Sequence, residues 1–174
     1  REPIMVYKIE DATGKVLYEF EPETHQAISP ESAFLMQYAL RGNVEEGSGT
    51  GRRLLNYQEI FRNGGQAAGK TGTTSNYSDS WYVGFTKDLV CGVWVGGDDR
   101  SIHFKGSLGE GGQSALPIVG IFLNKVYQDK SLDIKAGPFP KPTFKINKSY
   151  DVCANISMGI KSQRDSLEFD DYLD

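Results

Sequence analysis

Three runs of residues between positions 67 and 96 constrain what this 174-residue chain can fold into more than any other feature. Ser80-Trp81-Tyr82-Val83-Gly84-Phe85 and Leu89-Val90-Cys91-Gly92-Val93-Trp94-Val95-Gly96 are rich in β-branched and aromatic side chains, and only Thr86-Lys87-Asp88 separates them. That composition and that gap specify two antiparallel strands joined by a tight hairpin. Just upstream, Ala67-Ala68-Gly69-Lys70-Thr71-Gly72-Thr73 alternates well enough to be a third antiparallel neighbour. Lys70 and Gly72 then face one side of it, and Thr71 and Thr73 the other.

The elements around this sheet follow from local signals. Residues 4–10 and 15–20 read as a hairpin about Ala12-Thr13-Gly14. Ser29 is a good N-cap with Pro30 at the first helical position, so a helix is predicted over 30–45, with Phe34, Leu35, Tyr38 and Ala39 on one core-facing side. A shorter helix is predicted over 52–61. The apolar run Ala115-Leu116-Pro117-Ile118-Val119-Gly120-Ile121-Phe122-Leu123 opens another, over 115–127, in which the proline suits the first turn. Residues 109–112 form the loop before it. Beyond residue 130 the character changes: Gly137-Pro138-Phe139-Pro140-Lys141-Pro142 is an extended linker, and the last ten residues hold five acids and no base. The expected division is therefore 1–130 as the folded unit and 131–174 as a linker with an acidic, weakly ordered tail.

The chemistry concentrates in Gly69-Lys70-Thr71-Gly72-Thr73-Thr74, which joins one cation and three hydroxyls to two glycines. Lysine supplies a point charge with three donors, and threonine hydroxyls donate to carboxylate or phosphate oxygens. An anionic ligand is the natural occupant. Phosphate is the first candidate, because Gly64-Gly65-Gln66-Ala67-Ala68-Gly69-Lys70-Thr71 satisfies G-x-x-x-x-G-K-[ST]. A P-loop needs a buried strand entering and a helix leaving, so that helix N-terminal amides reach the phosphates. Residues 57–63 are not a β-branched run and residues 72–78 are poor helix formers, so the context fails on both sides. A carboxylate lying against a strand is the better reading.

Composition excludes more than it assigns. A formal charge of −4 and a pI near 5.3 leave no basic stripe for nucleic acid. No apolar run approaches the roughly 20 residues of a membrane span, and Arg1 opens no signal-peptide pattern. His25 and His103 lack partner spacing for a metal, so both read as surface residues. Cys91 reads as a small apolar residue of a buried strand, a disulfide to Cys153 being the other reading. Trp81 and Trp94 read as packing anchors, and Asp98 and Asp99 as a solvated turn. The run Gly47-Ser48-Gly49-Thr50-Gly51 before Arg52-Arg53 reads as a helix-terminating turn rather than an anion site.

K-T-G belongs, with S-x-x-K and S-D-N, to the signature set of penicillin-binding proteins and class A β-lactamases. Here the run 68–74, then Asp79-Ser80-Trp81-Tyr82-Val83-Gly84-Phe85-Thr86 and Gly92-Val93-Trp94-Val95-Gly96, closely resembles the class A penicillin-binding proteins, the bifunctional enzymes that build the bacterial cell wall. Residues 29–36, 42–51 and 9–17 resemble the helix, the glycine-rich turn and the hairpin that precede that strand in the family. The collinear blocks run from about residue 1 to about 128. The resemblance implies an α/β (α+β type) fold, an antiparallel sheet with flanking helices forming part of the serine transpeptidase/β-lactamase architecture.

What it implies for activity is a D,D-transpeptidase that cleaves the terminal D-alanyl bond of a peptidoglycan stem peptide through an acyl-serine, and that β-lactams acylate. Lys70 would lean toward the S-x-N serine and lend positive potential. Thr71 and Thr73 would hold the substrate carboxylate, the Thr73 N–H would be an oxyanion donor, and Gly72 would let the substrate backbone approach. No metal or cofactor is implied. The departures are the missing S-x-x-K and S-x-N, so this chain is expected to be the C-terminal part of its domain, inactive alone and completed by an N-terminal part. Attachment at the extracytoplasmic face of the inner membrane would come only through an upstream anchor. A non-catalytic scaffold module, a serine β-lactamase and, further off, a P-loop NTPase are the alternatives.

Overall fold

In the computed structural model, residues 4–21, 25–146 and Tyr150 are described. Two sheets form. The smaller pairs β1 (Lys8–Glu10) with β2 (Val16–Glu19), and both strands are exposed along their length. Asp11 ties the turn between them, its Oδ1 accepting from the Thr13 N–H at 2.8 Å, the Thr13 hydroxyl at 2.6 Å and the Lys15 N–H at 3.0 Å. Those bonds favour the ionised carboxylate and lower its pKa.

The larger sheet has the order β3 (Ala68–Thr73), β4 (Asp79–Phe85), β5 (Val90–Gly96), all antiparallel, so among the described residues β3 and β5 are both edges. Lys70 pairs with Val83, Thr71 with Tyr82 and Thr73 with Ser80. Side chains opposite one another share a face. Thr71 and Thr73 therefore lie on the face of the buried Ser80 and Tyr82, while Lys70 and Gly72 lie on that of Trp81 and Val83, as the alternation predicts.

The buried face is covered by α2 (Ala115–Gln128), whose Leu116, Val119 and Leu123 recur at helical spacing and meet Tyr82, Leu54, Ile60 and Val44 in the core. Two side chains fasten α2 to its neighbours. Asn124 Oδ1 accepts from the Glu59 N–H at 3.1 Å, and the Tyr127 hydroxyl donates to Thr86 Oγ1 at 2.7 Å, beside the Lys87-Asp88 hairpin. α1 (Pro30–Glu45) packs against β3 and starts as predicted, with the Ser32 N–H donating to Ser29 Oγ at 3.2 Å.

Several expectations differ from the structure. In place of a second α-helix over 52–61 stand two 3-10 helices, Arg52–Asn56 and Gln58–Gly64, broken at Tyr57, whose φ of −99° and ψ of 80° are not helical. On α1 only Val44 is buried; Phe34, Leu35 and Tyr38 are half-buried and Ala39 is exposed. The rings of Phe34 and Tyr38 meet Tyr150 edge-on, at 5.6 and 4.8 Å between centroids. Trp81 and Trp94 are not packing anchors of the core. They stand opposite each other on the outer face of the sheet, 47% and 43% exposed, because no described helix crosses that face. Cys91 is half-buried, points at the core and is free, while Cys153 lies outside the described residues, as does the tail from 151 on. The proline-rich segment is docked: Phe139 is buried against Phe85, 5.7 Å between rings, and its N–H donates to Gln66 Oε1 at 2.9 Å.

Candidate functional site

Ladder geometry decides which backbone groups of β3 are free. The Thr74 N–H donates to the Asp79 carbonyl at 3.0 Å, which marks that pair as hydrogen-bonded. In an antiparallel ladder such pairs alternate, so Gly72 and Lys70 bond to β4. The N–H and C=O of Thr71 and Thr73 point the other way, to the open edge. A ligand backbone laid along this edge meets both threonines' amide groups at once.

The side chains flank that edge on its two faces. Lys70 is exposed on the outer face, donates to the Thr71 carbonyl at 3.1 Å and makes no ion pair among the described residues. Thr71 and Thr73 line a cleft of about 660 Å³ on the inner face, with Thr50, Arg53, Tyr77 and Glu110 around them. Neither hydroxyl is idle. Thr71 Oγ1 shares a 2.7 Å hydrogen bond with Thr50 Oγ1, and Thr73 Oγ1 accepts from the Gly111 N–H at 3.0 Å. Accepting from Gly111 leaves the Thr73 proton free to donate. Arg53, exposed, donates to Gln113 Oε1, which keeps a guanidinium at the cleft wall.

Gly111 is where the loop before α2 touches the strand. A Cβ there would fall 2.2 Å from the Trp81 carbonyl oxygen and 2.6 Å from that of Gly72, so only glycine lets this loop lie flat on the sheet. On the outer face a second recess, of about 690 Å³, lies over Gly72, Trp81, Trp94, Asp98 and Arg100. The end of β3 thus stands between two hollows. The turn that leaves it is held by Asp79, whose carboxylate accepts from Ser78 Oγ at 2.9 Å and Trp94 Nε1 at 3.1 Å. Those bonds, Ser78 first and Trp94 second, hold the Asp79 pKa below the ordinary carboxylate value.

The structure brings Lys70, Thr71, Gly72 and Thr73 to one strand end, as read from the sequence, but divides Lys70 from the two threonine hydroxyls by the thickness of the strand. It adds Thr50, read from the sequence as part of a helix-terminating turn, and Arg53, read as part of the helix over 52–61. The turn is real, ending α1 at Glu46, yet it folds back across β3. A hydroxyl residue between two glycines was the signal available. The P-loop reading fails, since a 3-10 helix enters and a strand, not a helix, carries Gly69, Lys70 and Thr71. His25 and His103 are exposed, and no metal-binding group of side chains occurs among the described residues. Among those residues no helix is long and apolar enough to cross a membrane.

Comparison with known proteins gives a consistent picture. The family model for the penicillin-binding protein transpeptidase domain matches residues 1–100. Penicillin-binding protein 1B of Vibrio cholerae is 43% identical over 90 residues, covering 52% of this chain and 11% of that protein. Penicillin-binding protein 1A of Aquifex aeolicus is 39% identical over 120 residues, covering 67% of this chain and 15% of that protein. The crystal structure of penicillin-binding protein 1A from Haemophilus influenzae superposes with a TM-score of 0.58 at 26% identity, over 82% of this chain and 25% of that one. The chain thus corresponds to a small share of each relative's length.

Proposed function

The chain belongs to the penicillin-binding protein transpeptidase family, and on that premise we propose that it forms the substrate-holding strand of a peptidoglycan D,D-transpeptidase. The reaction is acyl transfer at the extracytoplasmic face of the membrane. A serine from an S-x-x-K segment attacks the penultimate D-alanyl carbonyl of a stem peptide, D-alanine leaves, and the acyl group passes from the serine to an amine. β-Lactams acylate the same serine.

The observation that carries this reading is the open edge of β3, with the backbone groups of Thr71 and Thr73 facing outward. A stem peptide adds to that edge as a further strand. The Thr73 N–H donates to the developing oxyanion, Gly72 admits the peptide backbone, and the Thr71 and Thr73 hydroxyls take the terminal carboxylate. Lys70 supplies positive potential and meets the S-x-N serine. Because Lys70 shares the face of Trp81 and Val83, the companion segment bearing S-x-x-K and S-x-N sits over that outer face.

The test is Lys70→Ala with the S-x-x-K region in the same polypeptide. The second-order rate of acylation by benzylpenicillin is expected to fall by about 100-fold or more. The unfolding temperature should barely move, since an exposed strand lysine contributes little packing. A large drop in melting temperature with an unchanged acylation rate in the folded fraction would make Lys70 structural and end this assignment.

A further inference from the structure

Thr71 enters its cleft already paired. Its hydroxyl lies 2.7 Å from that of Thr50, and Thr50 Oγ1 accepts from Asn43 Nδ2 at 2.9 Å. An amide NH₂ only donates, so the Thr50 oxygen is the acceptor toward Asn43, and its own proton is available to Thr71 Oγ1, one of the two directions open to that pair. In that direction Thr71 keeps its own proton. That proton is left for an oxygen in the cleft that both threonines line. Hydrogen bonds in a chain polarise one another, so a donor at the Asn43 end favours that direction.

The anchor is built tightly. The turn Gly49-Thr50-Gly51 wraps Asn43 so closely that a Cβ at residue 49 would fall 2.0 Å from the Asn43 carbonyl oxygen, and one at residue 51 would fall 2.4 Å from Asn43 Oδ1. The Gly51 N–H donates to that same carbonyl at 3.1 Å. Asn43 Oδ1, in contrast, is buried with no hydrogen-bond partner among the described residues. A buried amide oxygen left without a partner costs stability.

We propose that Thr50 is a positioning residue of the carboxylate site: anchored by Asn43, it holds the Thr71 hydroxyl as a donor facing the cleft. This rests on the reading of Thr71 as a substrate contact. In this role Thr50, which also lines the cleft, acts through Thr71, so removing it matters only while Thr71 keeps its hydroxyl.

The experiment measures acylation by benzylpenicillin for the parent, Thr50→Val, Thr71→Val and the double variant, each with the S-x-x-K region in the same polypeptide. Thr71→Val should lose about tenfold or more, and Thr50→Val about three- to tenfold. The double variant should lose no more than Thr71→Val alone, and Thr50→Ser should recover the parent rate. If Thr50→Val does not fold, Thr50→Ala runs the same cycle with less crowding. Losses that multiply in the double variant would mean that Thr50 merely supports the turn, and would overturn the relay. So would an unimpaired Thr50→Val beside an impaired Thr71→Val, an outcome that leaves the reading of Thr71 intact. An unimpaired Thr71→Val overturns both.

Discussion

Tyr82 is buried in the cluster formed with Leu54, Leu116 and Val119, and its hydroxyl has no hydrogen-bond partner among the described residues. Burial pushes the phenol pKa well above its ordinary value, so the group is neutral and simply unsatisfied. Tyr82→Phe should therefore raise the free energy of unfolding by about 1 kcal/mol in a denaturant titration, through relief of that desolvation. A clear loss would mean that the hydroxyl has a partner and that the core is arranged differently. The residues of the candidate site differ in how far their neighbours announced them. Lys70, Thr71 and Thr73 were legible because each stands beside the others in one short run, and alternation alone fixed their faces. Thr50 was not, since its relation to Thr71 crosses 21 positions and depends on a turn folding back over a strand. Periodicity carries no record of such a contact.

At the scale of elements, the link between β3 and β4 includes one ionised side chain. Asp79 accepts from Ser78 and from the Trp94 indole, and its pKa is lowered in the folded state. A depressed carboxylate stabilises the fold above the unfolded-state value of about 3.9, and that contribution disappears as pH falls through the folded-state value. The β3–β4 turn should accordingly loosen in acid below about pH 4. The Trp94 indole N–H resonance, followed by NMR from pH 6 to pH 2, reports this loss directly, and in Asp79→Asn its movement over that range should be much smaller. Equal movement in both proteins would assign it to another group. The sheet was legible because hairpin length and β-branching act locally. The two 3-10 helices were not: residues 52–61 look helical, but Tyr57 breaks the run and α2 supplies the Asn124 cap that the second piece uses. Likewise the aromatic side of α1 predicts burial without saying what covers it, and Tyr150 is over 100 positions away.

At the scale of the whole molecule, one face of the large sheet is packed and the other is open among the described residues. Trp81, Val83, Val90 and Trp94 are 47%, 45%, 77% and 43% exposed on or beside it. Trp81 and Trp94 are the chain's two tryptophans, so indole emission reads that face alone. Acrylamide should quench the chain by itself strongly, and far less once the S-x-x-K region is present in the same polypeptide, with emission shifting to the blue. Unchanged quenching would place the companion segment elsewhere. The open edge of β3 has a further consequence. A strand edge that accepts a peptide accepts a second copy of itself by the same hydrogen bonds, and an unprotected edge is a site of self-association. Lys70 lies in the middle of that edge with its ammonium exposed. Two copies pairing there would bring like charges together, whereas a ligand that ends in a carboxylate would not. The cation proposed to draw substrate in thus also acts as a doorkeeper, so the acylation rate of Lys70→Ala has to be read on protein first shown to be monomeric.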